Sequence, residues 1–391
     1  MRLERPARER ETARPRWAPA VLTAAMAVSM LQLFLIGALG PRLVEDGGFS
    51  RTVLGLTTTA GFGVAALLSL RAGRWVDRLG ARRCLVALLA LAAVALALIG
   101  SATGTAMLLA AVALGGLPQA LANPATNKVI LAVVPKERRG SVTGWKQSGV
   151  QLGAFAAGVP LAALAGWLGW RGAVFAAAGA ALGLAVWSLR VLPPDPEKPA
   201  EGAAGPPPRV RVGRLALFCL LLGCGIASVN TYLALYGSQR LDLGPVVAAW
   251  LVAVLGIMGI AGRVGWSRRA GGMDVPALLL APLAAGACGA SLLLAASGPV
   301  PALVWLGAAG VGALATAGNA VSMVAVIKEG NPKTAGRASA LVSAGFFGGF
   351  ALGPPLFGLL VDHAGYGPGW WLVAGEFLGA ALVVLPLWAR R

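Results

Sequence analysis

The chain contains few of the residues that give soluble enzymes their surface and their chemistry. Only 12% of its 391 residues are charged, whereas a soluble domain carries about 25%. It has one histidine, His363, and four cysteines, which lie in apolar segments without the spacing of metal ligands. A polytopic membrane enzyme would need paired carboxylates, a histidine cluster or a metal site near an interface. We therefore expect no metal, no cofactor and no enzymatic activity.

Apolar residues dominate what is present. The chain is 57% hydrophobic, with a mean hydropathy of +0.76, and a membrane-spanning helix needs about 20 apolar residues. Apolar segments recur along the chain at 17–40, 52–71, 84–100, 105–133, 140–164, 170–190, 214–238, 245–264, 276–296, 300–327, 335–360 and 369–388. The pattern predicts an all-α polytopic membrane protein with 12 transmembrane helices, in contact with a lipid bilayer.

A segment rich in proline, glycine and charge separates the sixth and seventh spans. It reads LPPDPEKPAEGAAGPPPRV, a composition that forms neither a helix nor a core. We predict a basic tail over 1–16, a six-helix bundle over 17–190, a linker over 191–213 and a second six-helix bundle over 214–391.

The net charge of +18 follows the predicted topology and does not form a patch for nucleic acid. Lysines and arginines concentrate in the tail, in the linker and in every second connection between spans. The alternate connections carry only Arg42, Arg51, Arg171 and Arg240. Because basic loops remain cytoplasmic, we expect a multi-pass protein of the cytoplasmic membrane with both termini inside. We expect no nucleic-acid partner.

The two predicted bundles share a repeat. A shift of 196 residues places Asn123 on Asn319 and also superposes Asp46 on Asp242, Gly140 on Gly336, Gly149 on Gly345, and Gly153 on Gly349. A shift by six spans preserves topology, so the repeat is parallel. Two parallel halves around a site at the membrane midplane are one architecture of secondary transporters.

The connection after the second span reads GRWVDRLGARR, residues 73–83. Its glycines allow close helix approach and a tight turn, and Asp77 could pair with arginine or with the positive end of a helix. The pattern closely resembles the signature loop of the major facilitator superfamily, and the resemblance covers the whole chain. In that family the loop is a latch that holds the cytoplasmic side closed. The resemblance implies a gating loop of Gly73, Asp77, Arg78, Gly80, Arg82 and Arg83.

The second half and two shorter phrases add to the resemblance. We align residues 262–272, GRVGWSRRAGG, with the first loop; they keep Gly262 and Arg263 but have no aspartate at the equivalent place. The phrases NPATNKVILAVVPKERRG and GWKQSG resemble the cyanate-permease-like and nitroimidazole-transport-like branch of the superfamily.

Lys146, Gln147 and Gln151 place a cation and two amides inside the fifth span. A central lysine costs about 2.5–3.5 kcal/mol on insertion, and such charges usually face a bundle interior or a wet cavity. The two glutamines are one turn apart and share a helix face. The trio suits an anionic or polar solute. Alternatively, the Lys146 side chain extends along its helix to the membrane interface. Lys128 raises the same question in the fourth span.

Other polar residues interrupt apolar spans. The resemblance implies that the first, fourth, seventh and tenth spans line a cavity, and in these lie Gln32, Asn123, Asn127, Asn230 and Asn319. Each could bind substrate or form an interhelical hydrogen bond. These four spans contain no acid, which disfavours export of cations. Glu376, in the last span, is the carboxylate that could carry a coupling proton.

We therefore expect a secondary transporter that moves a small organic solute by alternating access, without a metal or other cofactor. An anionic or neutral-polar substrate is favoured. The alternative is efflux of hydrophobic drugs or metabolites, which would use apolar side chains such as Met26, Met30, Phe34, Met258 and Phe346. The expected partners are the substrate, a coupling proton or ion, and lipid; the expected oligomeric state is a monomer.

Overall fold

The computed structural model describes residues 17–39, 42–43, 46–49, 51–195, 212–243, 245–329 and 335–385. Regular secondary structure within these ranges is helical. The predicted tail, and the predicted linker apart from residues 191–195 and 212–213, lie outside them. The predicted domain boundaries stay predictions.

α-Helices account for most of the described chain. In order, they are α1 Ala18–Ala38, α2 Arg51–Leu79, α3 Ala81–Gly100, α4 Thr105–Val133, α5 Arg139–Ala156, α6 Ala162–Val191, α7 Val212–Arg240, α8 Pro245–Gly272, α9 Leu280–Ala296, α10 Leu303–Gly310, α11 Thr316–Glu329, α12 Ala335–Ala364 and α13 Tyr366–Val384. π-Helical turns join α5 to α6 over Ala157–Leu161 and α10 to α11 over Val311–Ala315.

Many of these helices are long and apolar enough to cross a membrane. Ten segments of the described chain could cross one. One of them, Lys136–Val191, has 56 residues; at 1.5 Å per residue it would extend about 84 Å, far beyond the ~30 Å hydrocarbon layer. It is broken at Gly169, where φ is +69° and glycine is favoured. Helix α2 is a further long helix of 29 residues. The count of twelve spans stays a prediction.

Two helices continue well past their predicted ends. Helix α2 ends at Leu79 instead of 71, and α8 ends at Gly272 instead of 264. Charged residues beyond the apolar segment do not stop a helix, and neither does Gly73 within α2; this helix ends only before Gly80, whose φ of +98° is not helical. The predicted loop 73–83 is therefore wrong as a loop, because only Gly80, with φ +98°, separates α2 from α3.

The buried apolar residues form two clusters that follow the chain order. One cluster is drawn from residues 18–192 and adds only Ile327 from the second half. The other is drawn from residues 215–384 and adds Met30, Phe62 and Ala65 from the first half. We call these residue ranges the first and second halves. Phe62 contacts Phe350 across the halves, with ring centroids 5.0 Å apart.

The repeat is visible in how glycines contact neighbouring backbones. In the first half a Cβ on Gly149 would lie 2.2 Å from the carbonyl oxygen of Thr23, and in the second half a Cβ on Gly345 would lie 2.1 Å from that of Ala216. The next turn repeats this pairing, with Gly153 against Ala27 and Gly349 against Leu220. Helix α5 thus packs on α1 as α12 packs on α7.

Two further glycine contacts join the halves at one end of the molecule. Gly336 of α12 packs against the carbonyl oxygen of Gly73 in α2, and Gly140 of α5 packs against that of Ser267 in α8. Since the α5-to-α12 offset is 196 residues, these pairs give an α2-to-α8 offset of 194. We call this end, marked by Gly80, Lys136–Arg138 and Gly272, the basic end.

This offset corrects the predicted alignment of the second loop. At 194 residues, the counterpart of Asp77 is Gly271, and Gly140 packs against Gly271 as Gly336 packs against Asp77. The alignment that began at Gly262 is wrong by five residues, because it matched a glycine–arginine pair that recurs by chance. The second half still has no acid at the equivalent position.

Replacing Gly345 by alanine should destabilise the protein, because its Cβ would meet backbone and the α7–α12 contact must open. Overpacking of this kind costs about 1–3 kcal/mol. The matched control is Gly348→Ala on the same helix, whose Cβ would lie 3.8 Å from Leu220. Thermal unfolding in detergent should show a lower melting temperature for Gly345→Ala alone. Equal melting temperatures for the two variants would contradict the repeated contact.

Candidate substrate site and latch

Lys146 lies in the interior of the bundle. It is seven residues beyond Arg139, about 10 Å from the start of α5, and its side chain is fully buried. Its Nζ donates hydrogen bonds to Oδ1 of Asn123, at 3.0 Å, and to Oδ1 of Asn127, at 2.6 Å. In this conformation the ammonium is held inside the bundle and does not extend to the interface.

The two asparagines connect Lys146 to the second half. They are one turn apart on α4, and their Nδ2 groups donate to the α12 hydroxyls of Ser343, at 3.0 Å, and Ser339, at 2.8 Å. Gln147 also donates to Asn123 Oδ1, at 3.0 Å. We call Lys146, Gln147, Asn123, Asn127, Ser339 and Ser343 the central network. It crosses the contact between the halves.

Arg263 adds a second buried cation beside this network. It is 3% exposed, and its Nη1 donates to the carbonyl oxygen of Gln147, at 2.7 Å, and to Oε1 of Gln151. Its Nε donates to the carbonyl oxygen of Thr316 at 3.4 Å. The guanidinium of α8 therefore forms hydrogen bonds to α5 across the contact between the halves.

Sequence reasoning put Arg263 at the border of the eighth span and aligned it with the first connection, and so missed it as a site residue. The signal that would have found it is the glycine pair Gly271–Gly272, which ends α8. Counting back nine residues from Gly272 puts Arg263 about 13 Å inside the helix.

The remaining predicted substrate residues do not join the central network. Gln32 donates to the carbonyl oxygen of Val112 within the first half. Asn319 is buried, and its Oδ1 has no hydrogen-bond partner in the part of the chain described. Asn230 is exposed. Their assignment as substrate contacts stays a prediction.

Gln119 is a polar residue that the sequence analysis overlooked. It lies one turn before Asn123 on α4 and is fully buried. Neither atom of its amide has a partner among the described residues. A lone glutamine in an apolar helix was the available signal, and it extends the polar face of Asn123.

Asp77 forms the ion cluster of the predicted latch. Its Oδ1 lies 2.9 Å from Lys128 Nζ, and its Oδ2 lies 3.7 Å from Arg337 Nε. Gly336 packs directly against it in the first turn of α12, where the helix dipole favours an anion. Asp77 thus links α2, α4 and α12 at the basic end, and Lys128 is engaged there and not in the central network.

The other predicted latch residues surround a second carboxylate. The backbone N–H groups of Arg82 and Arg83 donate to Asp195, at 2.8 and 3.0 Å, so Asp195 satisfies the free N–H groups of α3. A Cβ on Gly80 would collide with the same carboxylate. Arg78 is exposed. Asp195 was missed because it follows two prolines in a segment predicted to be a linker.

Glu376 lies apart from both groups. It is 8% exposed on α13 within the second half, and its Oε2 has no partner among described residues. Over the same residues, no group of three histidine, cysteine or acidic side chains is placed to bind a metal ion.

Comparison with known proteins identifies the family. The profile of the Major Facilitator Superfamily matches residues 21–326, which is more than half of the chain. The chain belongs to the Major Facilitator Superfamily. It is accordingly a multi-pass membrane protein of a transporter family, as the signature connection implied.

Individual relatives are more distant. A chloramphenicol resistance protein of Streptomyces lividans is 28% identical over 395 aligned positions, covering 95% of each chain. The structure of the human organic anion transporter MFSD10 (TETRAN) superposes with a TM-score of 0.76 at 17% identity, covering 95% of this chain and 99% of that one. The proton:xylose symporter XylE gives 0.76 at 14% identity, covering 95% of each. These structures share the fold.

Removing the charge of Asp77 should loosen the basic end, because Lys128 and Arg337 lose their shared carboxylate. Ser267, fully buried against Gly140, is a reporter position. We expect Ser267→Cys, in a chain whose native cysteines are alanine, to react slowly with a maleimide in detergent. Adding Asp77→Asn should raise the rate several-fold.

The matched control is Asp274→Asn, an exposed aspartate at the same end. It should leave the labelling rate unchanged. A rate that is equally slow with Asp77→Asn would show that the ion cluster does not keep this end closed.

Proposed function

We propose that the protein is a secondary transporter that carries a small organic anion across the cytoplasmic membrane by alternating access. One observation carries the proposal: Lys146 is fully buried in the central network, and no carboxylate pairs with it in the described part of the chain.

The electrostatics of this site favour a negative ligand. A buried charge is costly unless it is paired and hydrogen-bonded. Lys146 has hydrogen bonds, but its acceptors are neutral amide oxygens. The carboxylate that would complete the pairing is instead supplied by the substrate in our proposal. A neutral polar solute would satisfy the amides but would leave the charge on Lys146 unpaired.

The position of the network supports alternating access. Its members come from α4 and α5 of the first half and from α12 of the second, so a ligand bound there contacts both halves. Rocking of the halves around such a site would expose it to each side in turn. We place the basic end in the cytoplasm, where the Asp77 cluster closes the path, and expect each monomer to contain its own site. If a proton is coupled, Glu376 is our candidate carrier.

A second candidate function is efflux of hydrophobic compounds. Its support is the chloramphenicol resistance protein, which aligns along 95% of the chain. Aromatic side chains also meet between the halves, where Phe62 lies 5.0 Å from Phe350 and 6.1 Å from Phe347 between ring centroids. Such a surface suits an apolar ligand better than an anion.

Anions should stabilise the purified protein through Lys146, because a ligand that binds the native state raises the melting temperature. The panel contains small organic anions, neutral polar solutes and lipophilic cations. We expect anions alone to stabilise the wild type and Lys146→Gln to lose the effect. Lys136→Gln, which removes an exposed lysine of the basic end, should retain it. Stabilisation by cations alone, unchanged in Lys146→Gln, would overturn the anion proposal.

The efflux candidate predicts a cellular phenotype. Expression in a drug-sensitive bacterium should raise the inhibitory concentration of chloramphenicol, and Phe350→Ala should reduce the gain because it removes an aromatic partner of Phe62. Phe175→Ala, at an exposed position of α6, is the control. An unchanged inhibitory concentration, at a confirmed level of the protein in the membrane, would count against this candidate.

A further inference from the structure

Two buried cations, Lys146 and Arg263, lie on opposite sides of the contact between the halves. Lys146 of the first half binds Asn123, which also accepts from Gln147. Arg263 of the second half binds the backbone of the same Gln147. Gln147 and Asn123 therefore link the ammonium and the guanidinium in one hydrogen-bond network.

Each half contributes one cation, and the equivalent position in the other half is uncharged in both cases. At the offset of 196 residues, Lys146 corresponds to Val342, and at the offset of 194, Arg263 corresponds to Ser69. Both counterparts are fully buried and uncharged. The two charges thus arise at different positions of the repeat, one on α5 and one on α8, and these two helices pack against each other.

Among the described residues, the hydrogen-bond acceptors of these two cations are neutral oxygens. Arg263 is held by the carbonyls of Gln147 and Thr316 and by the amide of Gln151. Neither cation has a salt bridge among the residues described. A single negative charge would therefore neutralise one cation and leave the other buried and unpaired, which is the costly arrangement.

We propose that the site takes a ligand with two anionic groups, such as a short-chain dicarboxylate, with one group on Lys146 and the other on Arg263. Arg263 would bind its carboxylate through two parallel N–H donors, in place of the amide of Gln151. This inference rests on the proposed function and narrows its substrate class. In this proposal, Arg263 is the residue that selects ligands with two negative charges over ligands with one.

The test compares ligands that differ by one charge on the same skeleton. Thermal shift in detergent would measure the apparent affinity for α,ω-dicarboxylates of increasing chain length and for their monomethyl esters. We expect the wild type to bind the best dicarboxylate at least about tenfold more tightly than its monoester, a difference of about 1.4 kcal/mol. In Arg263→Gln the two should bind alike.

Arg263→Lys keeps the charge without the paired donors, so it should retain part of the preference. The same variant separates the ligand role from a structural one. If Arg263 only held α5 and α8 together, its replacement would change the affinities for the dicarboxylate and for its monoester equally. The melting temperatures of the ligand-free variants report folding.

Three results would overturn the inference. Suppose that the wild type binds dicarboxylate and monoester equally and that Lys146→Gln abolishes both. The ligand would then not need two anionic groups, and the proposed transport of an organic anion would still hold. A dicarboxylate preference that survives in both Arg263 variants would remove Arg263 from the site. Stabilisation by neither ligand class would overturn the inference together with the proposed function.

Discussion

The solvation of one buried ammonium governs the middle of this structure. The Lys146 side chain is fully buried, so its ammonium must find oxygen acceptors within the bundle. Asn123 and Asn127 supply them at 3.0 and 2.6 Å, and the same two amides donate to hydroxyls of the opposite half. The contact between the halves and the solvation of Lys146 are therefore one hydrogen-bond system. A ligand that took over the ammonium would alter both, which is how binding energy can shift a conformational equilibrium.

Close helix packing is what allows so small a polar network to bridge two bundles. A Cβ on Gly144 would lie 2.8 Å from the carbonyl oxygen of Arg263, so α5 and α8 touch through their backbones at that point. This proximity lets the guanidinium reach past its own helix to Gln147 and Gln151. Since glycine is used repeatedly for such contacts, a composition rich in glycine reflects packing in this chain and does not indicate loops.

The sequence predicted the centre of the candidate site better than its edges. Lys146, Gln147, Asn123 and Asn127 could be found because polar residues are conspicuous in an apolar span, and the structure brings all four together. Which hydroxyls Asn123 and Asn127 would choose could not be predicted, since Ser343 and Ser339 lie 220 and 212 positions away. Gln32 has the same signature and yet binds a backbone carbonyl of its own half.

Residues outside apolar segments were harder to place. Hydropathy ends a span where charge begins, so it ended the eighth span at 264 and left Arg263 at its border, although the helix continues to Gly272. The same reasoning assigned Asp77 to a loop, although it lies in the last turns of α2. Asp195 carried no local signal, because a carboxylate that caps α3 can be recognised only once the fold has brought the two segments together.

The two helix crossings that close the basic end differ in kind. Where α2 meets α12, Asp77 ties three helices through charge. At the equivalent place where α5 meets α8, Gly271 offers only backbone contact to Gly140. Attraction between partly exposed charges weakens with ionic strength, whereas contact between glycine backbones does not. Of the two crossings, the one between α2 and α12 should therefore weaken more as ionic strength rises than the one between α5 and α8.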